Sequence, residues 1–198
     1  YKYLWFKELG IYSSDGKIRP FAKDSNGLVF GDGGVGIVME DFDHARERKA
    51  EIYAEYLGAG FDLEGWKITV PELGSQSYQR AISKAFEQAN IKKEEIDLLV
   101  PHGVGSAPID YYESKAIADT FGKNSKRPLI TAFKPYVGHT LGASALLESA
   151  ILLLSLKNEI IPPTLNTEVI DPRFNISLVK EEKREKIATA MKICCAFA

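Results

Sequence analysis

Two histidines and a lysine follow two consecutive apolar stretches, and their side chains are suited to stabilising a developing negative charge. His102 comes directly after Ile96–Val100, and Lys134 and His139 come after Leu129–Phe133. The carboxyl ends of strands are favoured site positions in α/β sheets, and neutral imidazoles aimed at an oxyanion stabilise enolates and tetrahedral intermediates. Together the three residues predict an oxyanion-stabilising site. Taken alone, each histidine is explained at least as well by a role in shaping its turn.

Two acidic residues after His102 are candidate supports for this site. Asp110 and Glu113 are three positions apart on a predicted helix, so they share a face. Glu113 is predicted to pair with Lys134 and to fix its position. The spacing by itself, however, favours an exposed acidic pair without a role in the site.

The elements that must position these residues alternate between strands and helices, which is typical of an α/β fold with helices packed on a parallel or mixed sheet. The segment 140–156 is apolar nearly all round, so it is predicted to be a helix deep in the core. His139 at its start is predicted to stay neutral, because a helix N-terminus disfavours imidazolium. Further helices are predicted over 1–9, 41–48, 75–90 and 109–121, and strands over 28–39, 52–61, 96–100, 129–133 and 187–197.

Composition and charge exclude several classes of function. The chain has 198 residues, 45% of them apolar and 26% charged, which is ordinary globular composition. A net charge of −2 gives no support to nucleic-acid binding. The most apolar stretch, 146–156, is too short to span a bilayer and contains Glu148, so no membrane association is predicted.

The remaining motifs carry weaker signals. Cys194 and Cys195 are adjacent and close no useful loop, which fits a reducing compartment and a cytoplasmic protein. They lack metal-ligand spacing and a nucleophile context, so they are predicted to pack in the last strand, and no metal site is predicted. The glycines of 31–34 lack the lysine of a phosphate-binding loop and are predicted to let a strand bend.

Several motifs follow one another in a fixed order along the chain. The main ones are His102-Gly-x-x-Ser106, Asp110-x-x-Glu113, Lys134-x-x-x-Gly138-His139-Thr140-x-Gly142-Ala143 and Ile161-Pro162-Pro163-Thr164-x-Asn166. Shorter ones are Arg19-Pro20-Phe21, the segment 26–33 and Ala196-Phe197. Together these motifs resemble the C-terminal domain of the β-ketoacyl-acyl-carrier-protein synthases, condensing enzymes of the thiolase superfamily.

The resemblance implies a thiolase-like α/β fold, of which this chain is the C-terminal half: a mixed five-stranded sheet covered by helices. Residues 1–20 are then the tail end of the N-terminal half, and residues 21–198 are the C-terminal domain, truncated before its final segment. The implied reaction is decarboxylative Claisen condensation of an acyl thioester with a malonyl-carrier protein, in fatty-acid or polyketide-type elongation. The acyl chain is loaded on a cysteine of the N-terminal half.

The resemblance also assigns roles to the candidate residues. His102 and His139 are implied to support decarboxylation and to stabilise the enolate. Lys134 is implied to order the site electrostatically, with Glu113 as its partner and Asp110 in support.

The arm-binding segment departs from the family pattern. The family's His-Gly-Thr-x-Thr segment uses its hydroxyl groups to contact the phosphopantetheine arm. Here Ser106 keeps a hydroxyl at the second position, but Val104 replaces the first with a side chain that cannot form a hydrogen bond. No cofactor is implied, because the substrates are carried on the phosphopantetheine of the acyl carrier protein.

Three alternatives remain open at this point. The chain is part of a condensing enzyme, part of a non-catalytic partner subunit of the chain-length-factor type, or an isolated interaction fragment that exposes an apolar surface. The implied partners are an acyl carrier protein, the missing N-terminal half and a second ketosynthase subunit, in a homodimer or a heterodimer.

Overall fold

Helices and strands alternate through most of the chain in the computed structural model, which describes residues 2–66, 72, 74–122 and 128–196. The helices are α1 Lys2–Glu8, α2 Phe42–Glu47, α3 Gln76–Ala89, α4 Ala107–Phe121, α5 Lys134–Val137 and α6 Ser144–Asn158. The strands are β1 Leu98–Val100, β2 Leu129–Ile130, β3 Ile160–Ile161, β4 Lys183–Arg184 and β5 Ala190–Lys192. Two 3₁₀ turns, Lys93–Glu95 and Leu141–Ala143, precede β1 and α6.

Within the described residues the strands form two sheets, whereas the resemblance implies a single mixed five-stranded sheet. β1 is the centre of a parallel sheet with the order β2–β1–β5, while β3 and β4 pair antiparallel. All three residues of β1 are fully buried, as expected for a central strand covered on both faces. The parallel order and the crossover through α4 confirm the predicted α/β class.

The two faces of β1 pack against different helices. Leu99 belongs to an apolar cluster with Ile82 of α3 and Ile117 of α4. Leu98 and Val100 belong to a second cluster that includes residues of α6 and β3. Because successive side chains of a strand point to opposite faces, this alternation places the sheet between helix layers and brings the carboxyl end of β1 to the junction of both.

The strands predicted over 28–39 and 52–61 are wrong. The first forms only isolated bridges, from Leu28 to Tyr12 and from Phe30 to His139. The second lies on α3 instead of beside a strand: a Cβ built on Gly60 would be 1.8 Å from the carbonyl oxygen of Ala81. A segment seated on a helix meets backbone groups that are already paired within that helix, so it cannot extend a sheet.

The prediction of a deeply buried helix over 140–156 is also wrong in its depth. In α6, Glu148 and Leu152 are buried, whereas Leu146 is 43% and Leu154 51% exposed. The sheet covers only one side of α6, and within the described residues the opposite side has little protein against it.

The stretch Leu141–Asn158 is long and apolar enough to match a membrane span by length and composition alone. The buried carboxylate of Glu148, however, pairs with the buried ammonium of Lys134. This contact shows a helix that packs against protein on that side.

The last strand is shorter than predicted, since β5 ends at Lys192 and Phe197 lies outside the described residues. The predicted division of the chain after residue 20 stays a prediction. Within this structure the two parts are in contact, because the backbone N–H of Ser13 donates to the carbonyl of Leu28.

Candidate functional site

His102 stands immediately beyond β1, and its backbone is held by a buried carboxylate. Glu113 of α4 accepts the N–H of His102 at 2.6 Å through Oε1 and the N–H of Gly103 at 2.9 Å through Oε2. Both His102 and Glu113 are buried, at 4% and 0% exposure. Glu113 therefore fixes the turn that presents the imidazole.

Asp110 holds the next part of the same turn. It is fully buried, and its two carboxyl oxygens accept the N–H of Phe21 at 2.8 Å and that of Val104 at 3.2 Å. Burial raises the pKa of Asp110 to about 8. The acidic pair is thus an interior support of the site, and the interpretation as an exposed pair is wrong.

Lys134 is the first residue of α5 and is fully buried. Its Nζ lies 2.6 Å from Oε1 of Glu148 and donates to the carbonyl oxygen of His102 at 2.5 Å. The predicted pair between Lys134 and Glu113 is wrong, because Glu113 is occupied by backbone N–H groups. The partner of Lys134 is Glu148, one turn into α6.

His139 is held by the segment 28–31, which runs alongside it. The N–H of His139 donates to the carbonyl of Val29 at 2.8 Å, and the carbonyl of His139 accepts the N–H of Gly31 at 3.3 Å. The Phe30 ring lies against the imidazole, with centroids 6.5 Å apart. His139 is five residues before α6 rather than at its first turn, so it is not positioned by a helix end. The backbone of the segment 28–31, called the strap below, positions it instead.

The surroundings of His139 select one tautomer. Its Nδ1 accepts the N–H of Leu141 at 3.3 Å and lies 2.8 Å from Oγ of Ser144, which itself accepts the N–H of Thr140. Because Nδ1 accepts, the neutral ring carries its proton on Nε2. The Nε2–H group is the donor available for a substrate oxygen.

The two imidazoles converge. The rings of His102 and His139 are 5.3 Å apart between centroids and nearly perpendicular, at 82°. Burial and the charge of Lys134 lower the pKa of His139 to about 4. Burial, followed by the charges of Lys134 and Lys192, lowers the pKa of His102 well below its usual value. Both rings are therefore neutral at neutral pH, as an oxyanion-stabilising pair requires.

Two glycines allow the strap to reach His139. A Cβ on Gly31 would lie 1.9 Å from the carbonyl oxygen of Val137, and Gly138 has a φ of +73° with the backbone of Gly31 directly against it. Gly31 is thus needed for a close backbone approach, which refines the prediction that this glycine-rich segment bends a strand.

We expect Gly31→Ala to displace His139 and to destabilise the protein by about 1–3 kcal/mol, because a methyl group must enter occupied space. Gly34→Ala, three residues along the same segment, is the matched control, since nothing lies within 4 Å of its Cβ position. Thermal unfolding of the two variants checks the prediction. Equal melting temperatures would contradict the close approach.

The low pKa of His139 predicts loss of stability in mild acid. The unfolded chain protonates this imidazole near pH 6.5, whereas the folded protein resists protonation until about pH 4, so the free energy of unfolding falls as the pH is lowered through this window. Unfolding measured between pH 7 and pH 4 should show a shallower decline for His139→Gln than for the wild type. His44→Gln, which removes the exposed histidine on α2, is the matched control for this substitution.

The chain is similar in sequence to one family of known proteins. Residues 53–168 match the family model of the β-ketoacyl synthase C-terminal domain. The chain belongs to the β-ketoacyl synthase family. It is 33% identical over 180 residues to 3-oxoacyl-[acyl-carrier-protein] synthase 2 of Coxiella burnetii, a match that covers 90% of this chain and 44% of the relative.

Solved ketosynthase structures show the same thiolase-like fold. The ishigamide ketosynthase/chain length factor superposes with a TM-score of 0.90 at 31% identity, covering 96% of this chain and 46% of that one. A type II polyketide synthase ketosynthase in complex with its acyl carrier protein superposes with a TM-score of 0.88 at 27% identity, covering 96% and 48%. The chain spans less than half the length of the relatives that it matches, and it is similar to their C-terminal part.

The residues predicted to contact the pantetheine arm differ in their placement in this β-ketoacyl synthase domain. Ser106 is partly exposed at the N-cap of α4, where its side chain forms no capping hydrogen bond. Val104 is 1% exposed, so its side chain packs in the interior. An arm contact stays a prediction for Ser106, whereas the burial of Val104 argues against one there.

Two residues of the domain's charged interior escaped the sequence analysis as site residues. Glu148 and Lys192 form an ion pair, with Nζ 3.0 Å from Oε2, and each is a lone charge in an apolar stretch. A solitary charge at a core position is itself a signal of a buried partner. Beyond Lys192, Cys194 is exposed and Cys195 is partly buried with its pKa raised to about 12 by burial.

Proposed function

We propose that this chain supplies the two-histidine and lysine part of a site that decarboxylates a malonyl thioester and condenses the product with an acyl thioester. The observation that carries the proposal is the pair of neutral imidazoles of His102 and His139, 5.3 Å apart between centroids. They lie beside the buried ion pair of Lys134 and Glu148.

In the proposed first step, the bond between C2 and the free carboxyl carbon of the malonyl group breaks and carbon dioxide leaves. The electron pair moves to C2 and onto the thioester oxygen, forming an enolate. The Nε2–H group of His139 donates to this oxygen, and His102 is the second neutral donor beside it. Because the site is buried, such donors stabilise the charge more strongly than water would.

In the second step, C2 of the enolate attacks the carbonyl carbon of the acyl thioester, and the thiolate that carried the acyl group leaves. This thiolate is expected to be a cysteine of an N-terminal half. Lys134 acts on the backbone: it holds the carbonyl of His102 and is neutralised by Glu148. We assign it to positioning and to the local field rather than to proton transfer.

We also propose the partners of this site. An acyl carrier protein delivers both substrates on its phosphopantetheine arm, so the domain needs no cofactor of its own. The similarity to a ketosynthase in complex with its carrier protein supports this. A second ketosynthase subunit, identical or different, is the other expected partner.

The test is reconstitution with an N-terminal ketosynthase half that carries the acylated cysteine. The complex is incubated with a malonyl-carrier protein labelled in its free carboxyl carbon. We expect release of labelled carbon dioxide that depends on both halves. A folded complex that binds the malonyl-carrier protein but releases no carbon dioxide would refute the proposal.

A second candidate is a non-catalytic partner subunit of the chain-length-factor type. It is favoured by Val104, which removes one hydroxyl from the arm-binding segment, and by similarity to the ishigamide ketosynthase/chain length factor. The same assay separates the two. A partner subunit would release no carbon dioxide with its own N-terminal half and would instead change the products of a separate active ketosynthase.

A further inference from the structure

Lys192, the last residue of β5, reaches under the turn that carries His102. Its Nζ donates to the carbonyl oxygens of Pro101 at 2.9 Å and of Ile193 at 2.7 Å, and lies 3.0 Å from Oε2 of Glu148. Lys134 takes the other oxygen of the same carboxylate, at 2.6 Å. Two lysines from different elements therefore share one buried glutamate.

We propose that Lys192 is a positioning residue of the condensing site, the second cation of a Lys134–Glu148–Lys192 bridge that fixes the backbone of Pro101 and His102. This inference rests on the proposed function and extends it to a residue that the two-histidine and lysine set does not include.

The contacts explain why the role is positioning. An ammonium group has three donors. Lys192 uses two of them in hydrogen bonds to the carbonyl oxygens of Pro101 and Ile193, and its contact with Glu148 is an ion pair, so its charge is directed at the backbone and at Glu148. The two lysines hold the carbonyls of consecutive residues, Lys192 that of Pro101 and Lys134 that of His102. Since both lysines are aligned by Glu148, the bridge sets the direction in which the His102 imidazole leaves the backbone.

Lys192 also contributes to the field at the two imidazoles. Its positive charge adds to that of Lys134 in disfavouring imidazolium at His102 and at His139. Titratable and charged groups surround the two imidazoles on several elements. They are Asp110 and Glu113 on α4, Lys134 on α5, Glu148 on α6, and Lys192 and Cys194 on β5 and the segment that follows it.

Removing the charge of Lys192 should therefore have two separable effects. Loss of positioning lowers kcat with little change in KM, because Lys192 does not touch the substrate. Loss of positive field raises the pKa of the imidazoles, so the acid limb of the pH–rate profile moves to higher pH.

The experiment uses this chain reconstituted with an N-terminal ketosynthase half and compares Lys192→Met, Lys192→Arg and Lys49→Met. Lys49 is an exposed lysine and serves as the matched control. We expect Lys192→Met to lower kcat for malonyl-carrier-protein decarboxylation about 10- to 100-fold and to move the acid limb up by about one pH unit. Lys192→Arg should keep most of the wild-type kcat and an acid limb close to that of the wild type, and Lys49→Met should change neither quantity.

The inference is overturned if folded Lys192→Met keeps the wild-type kcat and acid limb, or if only KM rises, which would indicate a substrate-binding lysine. If Lys192→Met does not fold, Lys192→Gln replaces it, because glutamine is neutral but keeps a donor for the carbonyl of Pro101. The expected shift of the acid limb is the same.

A second readout does not depend on catalysis. The chain has three histidines, so ¹⁵N-histidine labelling of this chain alone gives His102, His139 and exposed His44 as separate signals. The Lys192→Met or Lys192→Gln variant should raise the pKa of His139 and leave His44 unchanged. If the pKa of His139 does not change, the role of Lys192 is refuted even if decarboxylation is observed. If the pKa of His139 rises but no decarboxylation is observed, the proposed function is refuted and the Lys134–Glu148–Lys192 bridge is still supported.

Discussion

His139→Ala should reduce decarboxylation of malonyl-carrier protein by the reconstituted complex about 100- to 1,000-fold, the usual cost of removing one oxyanion donor. Alanine deletes the Nε2–H group that the neutral tautomer presents, while the strap from Val29 to Gly31 still holds the backbone at this position. Release of labelled carbon dioxide under saturating substrate measures the effect on kcat.

Two comparisons keep this result interpretable. His44→Ala removes an exposed histidine on α2 and should leave the rate unchanged. His139→Gln keeps an N–H donor on a side chain of similar reach and should retain more activity than His139→Ala. If His139→Ala is folded and as active as the wild type, the role assigned to His139 is wrong.

Glu148→Gln should destabilise the fold by about 3–5 kcal/mol, because it leaves the fully buried ammonium of Lys134 and the mostly buried ammonium of Lys192 without their shared counter-charge. Lys134 and Lys192 both pair with this carboxylate, at 2.6 and 3.0 Å. Removing one lysine leaves the other as a partner for Glu148, whereas removing Glu148 leaves neither lysine compensated. Chemical denaturation gives the change in the free energy of unfolding.

Glu51→Gln is the matched control for this prediction. Glu51 pairs with Lys157, which lies near the other end of α6, and both side chains are solvent-exposed. Such a surface pair contributes about 0–1 kcal/mol. If the two glutamine variants lose the same stability, the charged interior described here does not exist in the folded protein.

The sequence predicted the parts of the site that depend on position along single elements. β1 could be recognised as a short, continuously apolar run and α3 by its helical spacing, and His102, Lys134 and His139 follow strands whose carboxyl ends must meet. The ion-pair partner of Lys134 could not be predicted in this way. The sequence favours Glu113, which lies on the helix after His102, whereas the acid that pairs with Lys134 is Glu148 on another helix.

The predictions that were furthest from the structure concern segments whose conformation and burial depend on the parts of the protein that pack against them. The β-branched and glycine-rich stretch over 28–39 has the composition of a strand, yet its contacts at Leu28 and Phe30 are single bridges. The apolar surface of α6 predicted full burial, but composition does not say which part of the molecule covers each side of a helix. Both outcomes depend on tertiary packing that overrides local propensity.

The strap around Gly31 limits where this protein can be recombined with others. The family match begins at residue 53, yet His139 is held by Val29 and Gly31, and Asp110 by the backbone of Phe21. A chimeric synthase with a crossover near residue 53 would take these backbone partners from a foreign parent, together with whatever residue that parent has in place of Gly31. A crossover before Arg19 keeps every backbone contact of His139 and Asp110 described here within one parental sequence.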